Sequence, residues 1–400
     1  MADFLERFTA IDRDLLRLAI ASVSAADVER CLARPETIAH NPSALPILLS
    51  PAAREFLEPM AQLSASLTRK KFGANIGLYA PLYVSNLCAN DCDYCGFSMS
   101  NKIRRKTLSQ AELDAEIAIL KQRGFDSVLL VSGEHETKVG LDYFAQALLR
   151  LKQDFSYLAI EVQPLAEAGY RRLVDEGLDA VMVYQETYQP ATYDRHHLRG
   201  NKKDFGFRLN TPDRAARAGV DKIGLGVLLG LDDWRLDSAL MGLHLDYLQQ
   251  KYWRSRFSVS LPRLRPCVGG VTPAVTLDDA GLVQLICAMR LFSPALELSL
   301  STRESASLRD NLLPLGITHV SAASSTEPGG YSNPKLQLDQ FQISDERTVP
   351  EVVSAIRAQG MQPVWKDWDA SWLAGNPSRR MNLSGCTFVL NWPIIVQSCG

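Results

Sequence analysis

The run Leu87-Cys-Ala-Asn-Asp-Cys-Asp-Tyr-Cys-Gly96 sets Cys88, Cys92 and Cys95 in a C-x3-C-x2-C pattern, with Tyr94 directly before the third cysteine. Three thiolates this close together can wrap one corner of a cubane iron–sulfur cluster and bind three of its four irons. The fourth iron is left for a non-protein ligand, so the pattern points to redox activation of a small molecule at an iron. A structural zinc site needs a fourth cysteine or histidine, and none is apparent nearby. Three buried thiols do not suit a loop that carries Asn90, Asp91 and Asp93. Cys31, Cys267, Cys287, Cys386 and Cys399 are scattered, and in a long chain a close cluster favours metal over disulfides.

Other residues have chemical potential of their own. Leu298-Ser-Leu-Ser-Thr-Arg-Glu304 offers Ser301 and Arg303, natural partners for an amino acid carboxylate; the competing reading is an Arg303–Glu304 surface pair. The phenol of Tyr83 suits a substrate amine, or is a core tyrosine. Gly224-Leu-Gly-Val-Leu-Leu-Gly230 resembles a dinucleotide loop only superficially, because its third glycine comes one residue late and the run lies within a strand. Lys102-Ile-Arg-Arg-Lys106 reads as a solvated loop, or as a dock for an acidic electron donor of the flavodoxin type.

These groups need a scaffold. Residues 1–72 read as helices, with Ser24 as an N-cap and Ser50-Pro51 opening a third helix with proline at its first position. From there β-branched runs at 77–85, 126–132, 157–163, 179–184, 221–228, 256–261, 296–300 and 317–322 alternate with amphipathic helical stretches. Eight βα units predict an α/β chain folded as a (β/α)8 TIM-type barrel over residues 73–325, with the N-terminal helices as an extension. An open doubly wound sheet gives similar local signals. Barrel enzymes keep their chemistry at the C-terminal strand ends. There fall the cysteine loop, Ser132-Gly133-Glu134, Gln163, Glu186, Arg263 with Arg265, and Ser301 with Arg303. A segment over 326–373 is expected to pack on the barrel, and 374–400 form an atypical tail.

A formal net charge of −2 gives no pull toward nucleic acid or a membrane surface. No apolar run approaches a membrane span, and the start of the chain lacks a secretory pattern, so a cytoplasmic enzyme is expected.

The C-x3-C-x2-C spacing after a strand, with an aromatic before the last cysteine, resembles the signature of the radical S-adenosylmethionine (SAM) enzymes. Pro81-Leu-Tyr-Val-Ser-Asn-Leu-Cys-Ala-Asn-Asp-Cys92, Cys95-Gly-Phe-Ser-Met-Ser-Asn101, Val183-Tyr-Gln-Glu-Thr-Tyr188, Arg195-His-His-Leu198, Pro262-Arg-Leu-Arg-Pro-Cys267, Leu300-Ser-Thr-Arg-Glu304 and Trp365-Lys-Asp-Trp-Asp369 carry the resemblance further. Over residues 1–373 the chain is similar to the tyrosine lyases of thiazole biosynthesis, the 2-iminoacetate synthases. The resemblance implies one [4Fe–4S] cluster on Cys88, Cys92 and Cys95, with SAM chelating the open iron. It implies cleavage of SAM to methionine and a 5′-deoxyadenosyl radical, which takes a hydrogen atom from the amino group of L-tyrosine. Scission of the Cα–Cβ bond then yields p-cresol and dehydroglycine (2-iminoacetate) for thiamine, through the partner thiazole synthase.

Carried over by position, Tyr94, Ser132, Gly133, Glu134, Glu186 and Arg208 would contact SAM. Glu186 would accept the ribose hydroxyls, Arg208 would pair with the SAM carboxylate, and the strand-five glycines would let the backbone approach adenine. Ser301 and Arg303 would grip the tyrosine carboxylate, with Tyr83 near the amine. Gln163, Arg263 and Arg265 are candidates for the phenol. The alternatives are a tryptophan lyase, a hydrogenase-maturation tyrosine lyase and a non-catalytic iron–sulfur scaffold for thiazole synthase. The maturation enzyme would need a second, C-terminal cysteine motif, and Cys386 and Cys399 form no C-x2-C.

Overall fold

The computed structural model describes residues 3–333 and 338–365. Short apolar runs bounded by helices pair only with parallel neighbours. The strands are β1 (Asn75–Ser85), β2 (Ser127–Ser132), β3 (Tyr157–Glu161), β4 (Ala180–Met182), β5 (Lys222–Gly226), β6 (Arg256–Ser260), β7 (Glu297–Leu300) and β8 (His319–Ser321). They hydrogen-bond in chain order, and β8 returns to β1 with Gly77 opposite His319, which closes the barrel. The open-sheet alternative is thereby excluded. Each run lies within a few residues of its expected position. The fourth is the shortest, although Val183 and Gln185 still donate to Gly224 and Gly226 at 3.0 and 3.1 Å.

Side-chain alternation sorts each strand into two faces. Leu158 and Ile160 of β3 join the shell between strands and helices, while Tyr157 and Ala159 turn inward with Tyr83, Leu129, Val131 and Ala180. The shell is continuous with the N-terminal helices Phe4–Thr9, Arg13–Ser22, Ala25–Leu32 and Leu57–Phe72. Ser24 caps its helix in a reciprocal box with Asp27. Pro51 does not open an α-helix. It precedes a 3-10 turn, Ala52–Phe56, in which Ala53 donates to Ser50 Oγ at 3.1 Å, and the α-helix starts at Leu57. The helices are anchored by Phe4, whose ring stacks on His244 at 3.9 Å, and by Gln284, which donates to Leu48 O and Ser50 O at 2.9 and 2.8 Å.

After β8 the chain crosses the barrel mouth and forms the helix Val349–Ala358. The strand β9 (Gln362–Val364) follows and pairs with the foot of β1, Asn75–Gly77, below the point where β2 begins. Trp365 stands edge-on to Phe125 at 5.6 Å. Lys366–Asp369, Cys386, Cys399 and the 374–400 tail lie outside the described residues.

Candidate active site

One cavity opens at the C-terminal ends of the strands, and Cys88, Cys92 and Cys95 share its wall. Their loop is fixed from three sides. Asp91 and Cys92 pair antiparallel with Arg199 and His197. Asp93 accepts from His196 Nδ1 at 2.8 Å. Arg105 donates to four backbone carbonyls, those of Asn86, Phe97, Ser98 and Asn101, at 2.6–3.1 Å. Only Lys102 and Arg104 of the basic run are exposed, because Lys106 pairs with Glu112 at 2.9 Å. Arg105 is thus a structural clip, and the expected docking run shrinks to two residues.

Three thiols around one cavity fit a cluster in which each thiolate binds a different iron. Among the described residues no three His, Cys, Asp or Glu side chains converge as they would on a single ion. Burial pushes the bare Cys88 thiol up to about 11 and raises Cys95, and Cys92 further still. Iron binding must therefore drive their deprotonation.

Tyr94 closes one flank. Its hydroxyl lies 2.6 Å from His197 Nε2, and His197 Nδ1 lies 2.6 Å from Tyr193 O. A carbonyl only accepts, so Nδ1 carries the proton and Tyr94 donates to Nε2. Burial, then Lys202, push the His197 pKa down to about 2, which keeps the ring neutral.

Gly133 is required by close approach. A Cβ there would lie 2.5 Å from Leu87 O, one residue before the first cysteine. Ser132, Gly133 and Glu134 all line the cavity, and Glu134 O accepts from Ala89 N at 2.8 Å. Glu134 Oε1 accepts from Arg208 Nη1 at 3.0 Å and Oε2 from Asn90 Nδ2 at 2.7 Å. Burial disfavours the Glu134 anion, but Arg208 and Lys202 prevail and hold its pKa down. Arg208 also donates from Nε to Tyr184 O at 2.7 Å, and its Nη2 lies 3.8 Å from Glu186 Oε1.

Glu186 has φ +68°, the left-handed region that a residue with a Cβ enters only under constraint. Asp237 supplies that constraint by accepting from Thr187 Oγ1 and Tyr188 N at 3.1 and 2.8 Å. The Glu186 carboxylate faces Lys202 Nζ at 2.7 Å, and both side chains are 11% exposed. Lys202 was not among the residues expected at the site. It reaches the cavity because Gly200, at φ +90°, lets the chain turn tightly over Asn90, whose Oδ1 accepts from Lys202 N at 3.0 Å.

On the opposite wall stand Ser301 and Arg303. Arg303 Cζ sits 3.4 Å from the centroid of the Phe341 ring. The expected alternative, an Arg303–Glu304 pair, is absent: Glu304 is buried and pairs with Arg263. Tyr83 meets the cavity edge-on to Phe97 at 5.9 Å and donates to Gln340 Oε1 at 2.8 Å. Gln340 Nε2 also lies 3.7 Å from Cys95 Sγ, so a residue beyond the last strand touches both the cluster loop and the inner pocket.

Three expected residues are not in the cavity wall. Gln163 is buried, with Nε2 on Val139 O at 3.0 Å, because β3 ends at Glu161 and the chain turns away. Arg263 is drawn to Glu304 and to Asp279 at 2.8 Å. Arg265 is drawn to Ser344. Glu161 takes the place expected of Gln163. The strand-five glycines make room for side chains on β4 and just after it: a Cβ at Gly226 would meet Tyr184 at 2.6 Å, and one at Gly224 would meet Met182 at 2.1 Å.

Residues 82–241 match the radical SAM superfamily, and residues 260–362 match the Biotin and Thiamin Synthesis associated domain. The chain is 55% identical over 382 residues to 2-iminoacetate synthase of Escherichia coli (strain K12), covering 95% of this chain and 100% of that protein. The chain belongs to the 2-iminoacetate synthase family. The Salmonella typhimurium (strain LT2) member is 54% identical over 375 residues, 93% of this chain and 98% of that protein. In fold, this family member is similar to HydG, described as a maturase of the [FeFe]-hydrogenase, with a TM-score of 0.84, 28% identity and coverage of 89% and 80% of the two chains. Methylornithine synthase (PylB) shares the fold at a TM-score of 0.69 and 21% identity, over 87% of this chain and 99% of that one. As a radical SAM lyase family, the 2-iminoacetate synthases use a [4Fe–4S] cluster and SAM. No described helix is long and apolar enough to cross a membrane.

Proposed function

We propose that this chain is a radical SAM lyase that splits the Cα–Cβ bond of L-tyrosine to 2-iminoacetate and p-cresol. The observation that carries the reading is the meeting, in one cavity, of three thiols with unlike charged groups suited to a sulfonium amino acid and to a second amino acid. Cluster and SAM, when bound, supply one electron and a carbon-centred radical able to remove a hydrogen atom.

The chain's own residues bind and orient. Cys88, Cys92 and Cys95 hold the cluster, and Tyr94 walls it. Gly133 leaves room for a ligand against Leu87, with Ser132 and Glu134 beside it. Glu186 takes ribose hydroxyls, held rigid by Lys202 and by its constrained backbone. Arg208 offers a carboxylate the guanidinium edge that Tyr184 O and Glu134 leave over. Ser301 and Arg303 take the tyrosine carboxylate, and Tyr83 faces the amine. Pocket walls of Tyr79, Leu129 and Tyr184 exclude water from the reacting bond.

The same reading gives the protein its partners: a thiazole synthase that consumes the unstable imine, and a flavodoxin-type donor approaching Lys102 and Arg104, both in the cytoplasm. The test is anaerobic reconstitution followed by turnover with SAM, reductant and either L-tyrosine or L-tryptophan. Iron and sulfide uptake with p-cresol from tyrosine is the expected result. Absence of a cluster, or cleavage of tryptophan alone, would overturn it.

A further inference from the structure

Glu161 ends β3, and the alternation that turns Tyr157 and Ala159 into the barrel turns Glu161 inward too. It is the odd member among the carboxylates lining the cavity. Glu134 holds Arg208 and Asn90, Glu186 holds Lys202, and Glu304 holds Arg263. No hydrogen bond or ion pair reaches the Glu161 carboxylate among the described residues. Glu161 is half-buried, and its carboxylate faces the cavity rather than a protein partner; an anion left without a protein partner in such a cleft favours a cationic guest.

Arg303 is the complementary case. It makes no ion pair among the described residues, lies flat on Phe341, and donates a single long bond from Nη1 to Arg263 O at 3.5 Å. Strands β3 and β7 stand four apart in a closed ring of eight, so the two side chains rise from opposite walls of one cavity. One unpaired anion facing one unpaired cation is the complement of a zwitterion.

We propose that Glu161 receives the ammonium group of the amino acid substrate, while Arg303 and Ser301 hold its carboxylate, and that Glu161 takes one proton from that ammonium before the hydrogen atom is removed. The assignment rests on the tyrosine lyase reading above. In the transfer one N–H bond breaks heterolytically and one O–H bond forms. The ammonium becomes a neutral amine and the carboxylate a carboxylic acid, with no change of oxidation state and no net change of charge.

The setting suits the role. Burial, then the Glu186 charge, push the Glu161 carboxyl up to about 7, against the pull of Arg303, Lys202 and Arg208. The phenols of Tyr79 and Tyr83 on β1 and of Tyr184, just past β4, face it, and each is itself raised by burial, so none is ionised near neutrality. A carboxylate that titrates near the working pH is well matched to accepting a proton.

The test uses the cluster-loaded enzyme with SAM, titrated with L-tyrosine and with 3-(4-hydroxyphenyl)propionate, which lacks the amine. Glu161→Gln is expected to weaken tyrosine binding about 10- to 100-fold, as befits loss of a charge-assisted hydrogen bond. It leaves the desamino ligand bound as in the wild type. Glu161→Asp recovers part of the tyrosine affinity and carries the comparison if the Gln variant takes up less iron. In turnover, the acid limb of kcat/KM near pH 7 is present in the wild type and absent in Glu161→Gln. Equal losses for both ligands, or unchanged tyrosine affinity and pH profile, overturn the assignment. A wild-type enzyme that neither binds tyrosine nor makes p-cresol brings down the substrate reading itself, and the role of Glu161 with it.

Discussion

Replacing Glu161 by Gln makes its half-buried charge measurable without turnover. Its carboxyl titrates near 7 in the folded chain against 4.5 for the free group, because burial and the Glu186 charge disfavour the anion. Between those values the folded state keeps a proton that the unfolded chain has released. The stabilisation is complete below the unfolded pKa and is lost as the pH rises through the folded one. Each pH unit in that window is worth about 1.4 kcal/mol. From about pH 5.5 to the folded pKa is about 1.5 units, so the wild type loses about 2 kcal/mol that the variant retains. The assay is urea unfolding by tryptophan fluorescence, run anaerobically on both chains at about pH 5.5 and about pH 8. Subtracting one chain from the other cancels every group they share. The variant should gain about 2 kcal/mol relative to the wild type on going to the higher pH. A difference independent of pH would mean that the carboxylate is solvated. A difference of opposite sign would mean that it has a cationic partner. Either result refutes the reasoning.

Gly133→Ala drives a methyl group onto Leu87 O; it should cost about 1–3 kcal/mol as an overpacked site does and weaken SAM binding at least tenfold by equilibrium dialysis, whereas wild-type affinity would show that the cradle is not used. Lys202→Met leaves the buried Glu186 carboxylate, among the described residues, with only Arg208 at 3.8 Å. It should destabilise the fold by about 3 kcal/mol, the low end for breaking a buried pair, and a double-mutant cycle with Glu186→Gln should give a coupling of at least about 1 kcal/mol, whereas additive effects would sink the pair. Arg105→Met removes the carbonyl clip and should lower iron uptake on reconstitution. Lys102→Glu with Arg104→Glu should leave iron uptake intact, slow reduction by flavodoxin and flatten its salt dependence; reduction at the wild-type rate would remove that face from the docking surface.

The barrel was legible because each strand carries its own apolar run and is flanked by a helical pattern, which are local signals. The cysteines were legible for the same reason, since their spacing sits within eight residues. Ser301 and Arg303 could be read as chemistry because they stand directly at a strand end. What failed depended on where a strand stops. Glu161 and Gln163 share the same parity along the chain, but the turn after Glu161 sends only the earlier one into the cavity. Arg263 and Arg265 looked like phenol candidates until long-range partners, Glu304, Asp279 and Ser344, fixed them elsewhere. Lys202 arrives through a left-handed glycine and an asparagine contact more than a hundred residues away in sequence, and Gln340 arrives from beyond the last barrel strand. No local periodicity encodes such meetings.

In the proposed reaction the tyrosine amine nitrogen is the atom from which hydrogen is removed. Anaerobic turnover of the full enzyme in D2O with SAM, reductant and L-tyrosine tests it against removal from carbon, because N–H, like the phenol O–H, exchanges with solvent and C–H does not. The expected products are p-cresol and glyoxylate, the hydrolysis product of 2-iminoacetate, together with 5′-deoxyadenosine that carries deuterium on its 5′ carbon, and none of the three from Cys92→Ala. Deoxyadenosine without deuterium, or formed only with another amino acid, would contradict it.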